Sequence, residues 1–227
     1  YEETKYLSEV AARRVATERG LALSVYRPTI VTGDSKTGRA LRFNALYYPV
    51  KAILLLRDLY AEDLKRGGAR SLALGVESRP EGRILLPLRI ETDPEASLNL
   101  IPVDYFARAF LALLEAYPGG GTFPIATDEV IRVETVVEHI RQLYGIEGLQ
   151  PVLAGAFAAQ PPNALERLFE DYTAAYRPYM LDRRIFRDSA SRPAQDAAGI
   201  WCPRFNYDSF ARLMRYAESV DWGKRLF

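Results

Sequence analysis

Residues 21–39 read LALSVYRPTIVTGDSKTGR, and this stretch decides the fold of the chain. It follows a helical pattern over residues 2–19 that Gly20 ends, because glycine readily adopts the left-handed conformation that closes helices. The near-continuous apolar content of residues 22–31 predicts a strand buried on both faces, and the glycines after it predict a loop. Helix, glycine, strand and loop in this order indicate an α/β fold with a parallel sheet.

Tyr1 and Lys5 open the helical pattern at a spacing of i and i+4. On a helix this spacing puts both side chains on one face, with Cβ atoms ~5–6 Å apart. An ammonium near a phenol stabilises the phenolate and lowers the pKa of the tyrosine, which makes Tyr1 a candidate general acid toward a carbonyl oxygen. The same pair also fits an ordinary solvated first turn, so the spacing alone decides nothing.

Three further motifs accompany this pair, and they are RPTIV at 27–31, GDSKTG at 33–38 and IPVDY at 101–105. Together the motifs resemble the second half of an extended short-chain dehydrogenase/reductase, in the NAD-dependent epimerase/dehydratase superfamily. The first two look most like the male-sterility-like group of fatty acyl-CoA reductases and thioester reductase domains. The aromatic-rich tail over residues 165–222 is similar to the C-terminal segment of that group. The resemblance implies the C-terminal portion of a Rossmann-type parallel sheet plus a mostly helical substrate-binding region.

The resemblance also implies roles for individual residues. Tyr1 and Lys5 would be catalytic: Tyr1 exchanges a proton with the substrate oxygen, and Lys5 also binds the ribose hydroxyls of NADP or NAD. Because ligands bind at the carboxyl ends of parallel strands, cofactor binding is assigned to Tyr1 and Lys5 and to Pro28, Thr29, Ile30 and Val31. The substrate would be bordered by Arg39, Arg42, Asn44 and Tyr48.

Two features of the substrate region have open alternatives. Arg39 and Arg42 could pair with the phosphates of CoA or of carrier-bound pantetheine, or they could face solvent as ordinary charges. Apolar side chains on the predicted helix over 44–66 could line an acyl-chain groove or belong to the core. These side chains are Tyr47, Tyr48, Val50, Ile53 and Leu54.

One departure from the family is large. Members carry a Gly-rich dinucleotide-binding turn near their N-terminus and a catalytic Ser or Thr before the tyrosine. This chain begins at the tyrosine and has no Gly-x-Gly-x-x-Gly turn. Gly119, Gly120 and Gly121 follow a helical pattern and predict a plain loop. We therefore expect a fragment whose cofactor-binding half lies upstream, and which by itself is inactive and binds NAD(P) poorly.

Composition excludes several classes of function. The 227 residues are 48% apolar, and 30 basic against 29 acidic residues give a net charge of +1. The chain can bury a sizeable core, and neither nucleic acid nor an anionic membrane is expected as a partner. The single cysteine, Cys202, fits a reducing, cytoplasmic location, and the single histidine, His139, predicts a structural role and no metal site. The longest apolar stretch, residues 45–56, is shorter than the ~18 residues of a transmembrane helix.

The rest of the chain alternates strand and helix patterns. We predict a helix over 44–66 with a kink at Pro49, a hairpin over 70–90, a strand over 98–103 and a helix over 105–117 capped by Asp104. We further predict a strand over 123–126, a helix over 133–144, helical aromatic-rich segments beyond Gly148 and a last helix over about 210–220 capped by Asp208 or Ser209. Residues 1–130 are expected to be the C-terminal part of the NAD(P)-binding domain with interleaved substrate-region segments, and residues 131–227 a mostly helical substrate domain.

The leading hypothesis is an NAD(P)-dependent reductase that transfers hydride to a carbonyl. Its small-molecule substrate would be a fatty-acyl or related thioester, reduced to an aldehyde or alcohol. One alternative keeps the fold and changes the chemistry to that of a nucleotide-sugar epimerase or dehydratase. Another alternative is a non-catalytic binding or dimerisation domain. A homodimer is left open, because family members often pair through the helix that carries the tyrosine.

Overall fold

A computed structural model describes residues 2–224 and shows a mixed α/β fold, as predicted. The helices are α1 (Glu2–Arg19), α2 (Tyr47–Lys65), α3 (Ala69–Ala73), α4 (Val103–Ala116), α5 (Val133–Tyr144), α6 (Ala156–Ala159), α7 (Ala164–Thr173), α8 (Arg177–Met180), α9 (Arg192–Ala197) and α10 (Tyr207–Ser219). The strands are β1 (Ser24–Pro28), β2 (Ile30–Thr32), β3 (Glu77–Ser78), β4 (Ile84–Thr92), β5 (Ser97–Leu98), β6 (Leu100–Pro102), β7 (Gly121–Ile125), β8 (Ile131–Arg132) and β9 (Ile146–Leu153).

The predicted single strand over 22–31 is two short strands with different neighbours. β1 pairs in parallel with β7, and β2 pairs in parallel with β6. The change occurs at Thr29, whose N–H donates to the carbonyl of Ile125, while the next N–H, that of Ile30, donates to the carbonyl of Asn99. The prediction of burial on both faces is also wrong, because Pro28 and Val31 are exposed where the strands end.

A second sheet has the strand order β3-β4-β9, and here two sequence predictions fail. The predicted hairpin is limited to Glu77–Ser78 pairing with the start of β4, since the residues before it form α3 after the left-handed Gly68. The segment beyond Gly148 was predicted helical but continues β9, parallel to β4. The positive φ of Gly148 (+83°) and the missing N–H of Pro151 both oppose a helix there.

Three predicted helix starts also need correction. Pro49 lies in the first turn of α2, where its missing N–H has no helical partner, so no kink is needed there. Asp104 does not cap α4, which begins at Val103, but binds the loop after β2. Asn206 caps α10 by accepting from the N–H of Ser209, in place of the predicted Asp208 or Ser209.

Two apolar clusters form the core. The larger joins α2, β4, α5, β9, α7 and α10, and the smaller joins β6, α4, β7 and α9. The ring of His139 lies 5.5 Å from that of Tyr207 and 5.6 Å from that of Phe210, a buried member of the larger cluster. Along α1, all of it within the described residues, only Ala16 is buried, and Leu7 and Val10 are exposed.

Neither a membrane span nor a metal cluster is found in the described part of the chain. Between residues 2 and 224, no helix combines the length and the apolar content that a bilayer crossing demands. In the same range, no group of three or more His, Cys, Asp or Glu side chains is arranged to hold a metal ion.

A buried ion pair fastens α7 to β4. The carboxylate of Glu166, 1% exposed, accepts from Nε of Arg89 at 2.6 Å and from its Nη2 at 2.7 Å. Glu166 also completes a capping box with Asn163 at the start of α7. Burial opposes ionisation of Glu166, but the hydrogen bonds from Arg89 and from two backbone N–H groups outweigh it, so the pKa of Glu166 lies below its ordinary value.

We predict that Glu166→Gln destabilises the fold by on the order of 2 kcal/mol at pH 7, because it leaves the Arg89 guanidinium without its countercharge while the amide still serves the capping box. Urea unfolding measures the difference. Since the folded-state pKa lies below the ordinary 4.5, the stabilisation is present above pH 4.5 and is lost as the pH falls through the lower folded value. The two proteins should therefore converge in acid.

Glu62→Gln is the matched control for this prediction, since Glu62 pairs with Lys65 and Arg66 on the surface of α2. It should leave the urea midpoint nearly unchanged at both pH values. Equal midpoints for the Glu166 variant and the natural protein at pH 7 would show that the buried pair contributes no net stability.

Candidate functional site

The candidate site lies where β1, β2, β6 and β7 end. The strands run parallel in two pairs, so their carboxyl ends meet along one edge, the usual ligand position in α/β sheets. Pro28 and Val31 are exposed at this edge, and Thr29 and Ile30 are half-buried. The structure therefore places the four residues predicted to contact the cofactor at the sheet edge.

Asn99 connects the strands at this edge through hydrogen bonds. Its side chain is 4% exposed and donates from Nδ2 to the carbonyl of Thr127 at 2.7 Å. Its Oδ1 accepts from the N–H of Thr127 at 3.1 Å and from Oγ1 of Thr29 at 2.7 Å. Its backbone carbonyl accepts from Ile30 at 3.1 Å. Asn99 thus joins the ends of β1 and β7 to the start of β2.

Helix α1 runs antiparallel to β1, so its N-terminal turns lie toward this edge. Arg13 donates to Thr122, which lies at the start of β7, and one turn earlier Glu9 pairs with Arg27 near the end of β1 at 2.7 Å. Lys5 is one further turn along the same face, which places it level with the strand end. Its side chain is exposed. Tyr1 lies outside the described residues.

The loop after β2, residues 33–39, is held from three sides. Ser35 donates from its N–H and its hydroxyl to the two carboxylate oxygens of Asp104, both at 2.8 Å. Arg212 of α10 donates to the carbonyl of Ser35 at 2.5 Å. The N–H of Gly33 donates to the hydroxyl of Tyr47 at 2.9 Å, and burial raises the pKa of that tyrosine to about 12.

Glycine is required twice in this loop. A Cβ on Gly33 would lie 2.4 Å from the carbonyl oxygen of Gly38. A Cβ on Gly38, whose φ is +74°, would lie 2.6 Å from the carbonyl oxygen of Arg212. The loop can approach its own backbone and that of α10 only because both positions lack a side chain.

The predicted substrate residues border the loop and the start of α2. Arg39 and Arg42 are exposed. Asn44 is also exposed, and its carbonyl accepts from the N–H of Tyr47. Tyr48 is 38% exposed, and its ring lies 5.0 Å from that of Tyr176. The structure thus brings Tyr48 against the aromatic segment after α7.

An apolar pocket of about 60 Å³ opens beside the sheet edge. It is lined by Ile30, Ala45, Leu46, Pro49, Val50, Ile53, Ile90, Leu98, Val133, Val136, Val137, Ile140, Phe169, Tyr176, Tyr179 and Met180. Ala45 has a φ of +45°, an unfavourable value for a residue with a Cβ and one that recurs at ligand sites.

The pocket includes part of the chain-binding set predicted from the sequence. Val50 and Ile53 line it, whereas Tyr47 binds Gly33 and Leu54 is buried elsewhere in the core. Ile30 is the link between the two halves of the candidate site, because it begins β2 directly beyond the end of β1 and also lines the pocket.

Sequence reasoning missed Asn99, Asp104 as a loop ligand, and Met180. Asn99 interrupts an otherwise apolar run, and asparagine is disfavoured in strands, so its position was a signal for a special role. Asp104 was explained by helix capping, which hid its contact with Ser35. Met180 had no local signal, since only tertiary folding brings it to Ile90 and Leu98.

We predict that Asn99→Asp loosens the sheet edge, because it replaces the amide donor with an oxygen that faces the carbonyl of Thr127. Hydrogen exchange should become at least about tenfold faster at the amides of Thr127 and Ile30, equivalent to a loss of about 1.4 kcal/mol of local stability. Asn206→Asp is the control, because aspartate caps helices as well as asparagine does. Unchanged exchange at both amides would contradict the role given to Asn99.

Comparison with known proteins gives a family match over the first part of the chain. Residues 1–110 match a family of NAD-binding proteins described as male sterility protein. The predicted resemblance to the male-sterility-like group is confirmed over these residues, and with it the prediction of a nicotinamide cofactor at the level of the family. No curated protein matches the chain in sequence.

Solved structures share the fold at low sequence identity. The terminal R domain of the myxalamid PKS-NRPS pathway matches 98% of this chain with a TM-score of 0.62 and 18% identity. A thiolation-reductase di-domain from an archaeal non-ribosomal peptide synthetase matches 96% with a TM-score of 0.63 and 16% identity. UDP-glucose 4-epimerase from Thermotoga maritima matches 97% with a TM-score of 0.52 and 16% identity. These likenesses confirm the Rossmann-type fold class.

The chain spans only part of each of these structures. It covers 50% of the R domain, 40% of the di-domain and 53% of the epimerase.

Proposed function

We propose that this chain, whose residues 1–110 match an NAD-binding male sterility family, is the substrate-side part of an NAD(P)-dependent reductase of acyl thioesters. The observation that carries the proposal is the junction at Ile30. There, the exposed ends of parallel strands, where a dinucleotide cofactor binds in such folds, meet a pocket lined by aliphatic and aromatic side chains.

The residues at the sheet edge fit a nicotinamide dinucleotide. Pro28 and Val31 offer apolar surface that solvent can reach, and Lys5 lies level with them on α1. When bound, such a cofactor supplies hydride to the reacting carbon. Lys5 holds ribose hydroxyls with its ammonium donors, and Thr29, fixed by Asn99, holds the backbone of the strand end in place.

The acid that completes the reduction is Tyr1. As hydride reaches the carbonyl carbon, its hydroxyl gives a proton to the carbonyl oxygen, and the hemithioacetal that forms then releases the carrier thiol to leave the aldehyde. Lys5, four positions later in the sequence, favours the phenolate that remains. Neither Tyr47 nor Tyr105 is suited to this step, because burial raises the pKa of each to about 12 and each hydroxyl bonds to groups within the protein.

The apolar pocket takes the hydrocarbon part of the substrate. Aliphatic walls favour an alkyl chain by about 25 cal/mol for each Å² removed from water, and they offer few partners for hydroxyl groups. The carboxyl-derived carbon then lies at the mouth, beside Ile30, within reach of the sheet edge. The exposed Arg39 and Arg42 lie on the outer side, where the thioester's polar carrier would remain in water.

We predict that the protein at its natural length oxidises NADPH when given straight-chain acyl-CoA thioesters. Tyr1→Phe removes the proton donor, and Lys5→Met removes the cation beside it, so each should lower kcat about 10²–10⁴-fold. Lys65→Met on the surface of α2 is the control and should retain full activity. The decrease in cofactor absorbance measures the rate, and no decrease with any chain length would remove the acyl assignment.

A nucleotide-sugar epimerase or dehydratase remains the second candidate, on the likeness in fold to UDP-glucose 4-epimerase. That chemistry returns its hydride to the substrate and therefore needs a tightly retained NAD. We expect the protein at its natural length to lose its nicotinamide cofactor on gel filtration. Stoichiometric NAD that survives denaturing extraction of the purified protein would favour the second candidate over the reductase.

A further inference from the structure

Residues 176–184, here called the strap, cover the apolar pocket. Tyr176, Tyr179 and Met180 of the strap line it, opposite side chains from α2 and α5. Most of the other wall residues belong to regular helices and strands of the larger apolar core. The strap instead consists of the short helix α8 and irregular chain, with much of its surface in solvent.

The strap is fixed along the end of β4. Arg177 pairs with the buried Glu91 at 2.5 Å, and Arg183 pairs with Asp93. Between these anchors the carbonyl of Met180 accepts from Oγ1 of Thr92 at 2.7 Å and from the N–H of Asp93 at 3.3 Å. The backbone of Met180 is therefore held in place, and its side chain is committed to the pocket.

The size of the pocket limits what it can hold. About 60 Å³ is roughly the share of two water molecules in the liquid, at ~30 Å³ each. Water gains little there because a buried water needs two to four polar partners, and the lining is almost entirely hydrocarbon. An alkyl chain of a few carbons fills this space, and a longer chain fits only if a wall residue gives way.

We propose that Met180 is the residue that sets the length of the alkyl chain that this pocket accepts. Methionine is unbranched and adapts its shape more easily than the β-branched and aromatic side chains around it. Shortening it removes Cγ, Sδ and Cε from the pocket, which makes room for about three more carbons. The proposal rests on the proposed function for the role of the chain as an acyl group, but not for its binding.

The test measures the binding of straight-chain fatty acids, from butanoate to tetradecanoate, to the protein at its natural length by titration calorimetry. Met180→Ala should shift the strongest binding to chains about two to four carbons longer. The affinity should increase up to about fourfold for each further methylene buried. Met180→Trp should abolish binding of all but the shortest chains. Met180→Leu, which conserves volume, should leave the length profile unchanged.

Tyr172→Ala is the matched control, since Tyr172 is 41% exposed on the neighbouring α7 and does not line the pocket. The dependence of fatty-acid affinity on chain length should be the same in the Tyr172→Ala variant as in the natural protein. Circular dichroism and thermal unfolding identify any variant that fails to fold, and the opposite directions expected for the alanine and tryptophan variants keep the test decisive. The same length profile in both variants, or no binding of any fatty acid, overturns the proposal.

Activity measurements with acyl-CoA thioesters separate this inference from the proposed function. A shift in the binding profile without any NADPH oxidation sinks the reductase assignment and leaves the role of Met180 intact. If the alanine and tryptophan variants both oxidise NADPH with the same chain-length preference, the reductase assignment stands and the role of Met180 is overturned.

Discussion

The structure depends on one buried amide. Asn99 takes part in four hydrogen bonds that join Thr29, Ile30 and Thr127, which belong to segments far apart in sequence. The side-chain amide is the partner of the Thr29 hydroxyl and of the N–H and carbonyl of Thr127, so these groups would lose that partner if the amide were absent, at a cost of about 1–3 kcal/mol per unsatisfied group. The carboxyl ends of β1 and β7 and the start of β2 therefore keep one arrangement, on which the assignments at the sheet edge depend.

A second set of contacts extends this rigidity to the loop over residues 33–39. Asp104 binds Ser35 from α4, and Arg212 binds the same residue from α10, 177 positions later in the chain. The last helix is thus part of the site, although no site residue was predicted there. Because the close approach of α10 requires a glycine at position 38, the loop and the helix constrain each other. The border of the proposed substrate site therefore forms only once α4 and α10 pack against this loop.

The sequence predicted best what depends on local patterns. The helices over 2–19 and 133–144 were predicted with the bounds that α1 and α5 have, because apolar residues recur there at helical spacing. The strand β9 was missed because Gly148 and Pro151 interrupt its aliphatic residues and its partner β4 lies more than fifty positions earlier. Pro28 to Val31 could be placed at a strand end from their sequence alone. Asn99 and Met180 could not, since their roles arise from contacts that only the tertiary structure creates.

The junction at Ile30 also constrains how a substrate can bind. A thioester carbonyl is polar and would lose its hydrogen bonds to water inside a pocket whose walls are hydrocarbon. It must therefore stay at the mouth, next to the exposed edge formed by Pro28 and Val31. The alkyl chain lies on the other side of the same residue, where burial favours it. In the proposed reductase, the boundary between the polar edge and the apolar pocket would then position the reacting carbon without a hydrogen bond to its carbonyl group. The depth of the pocket would decide which alkyl chains allow the carbonyl to reach that position.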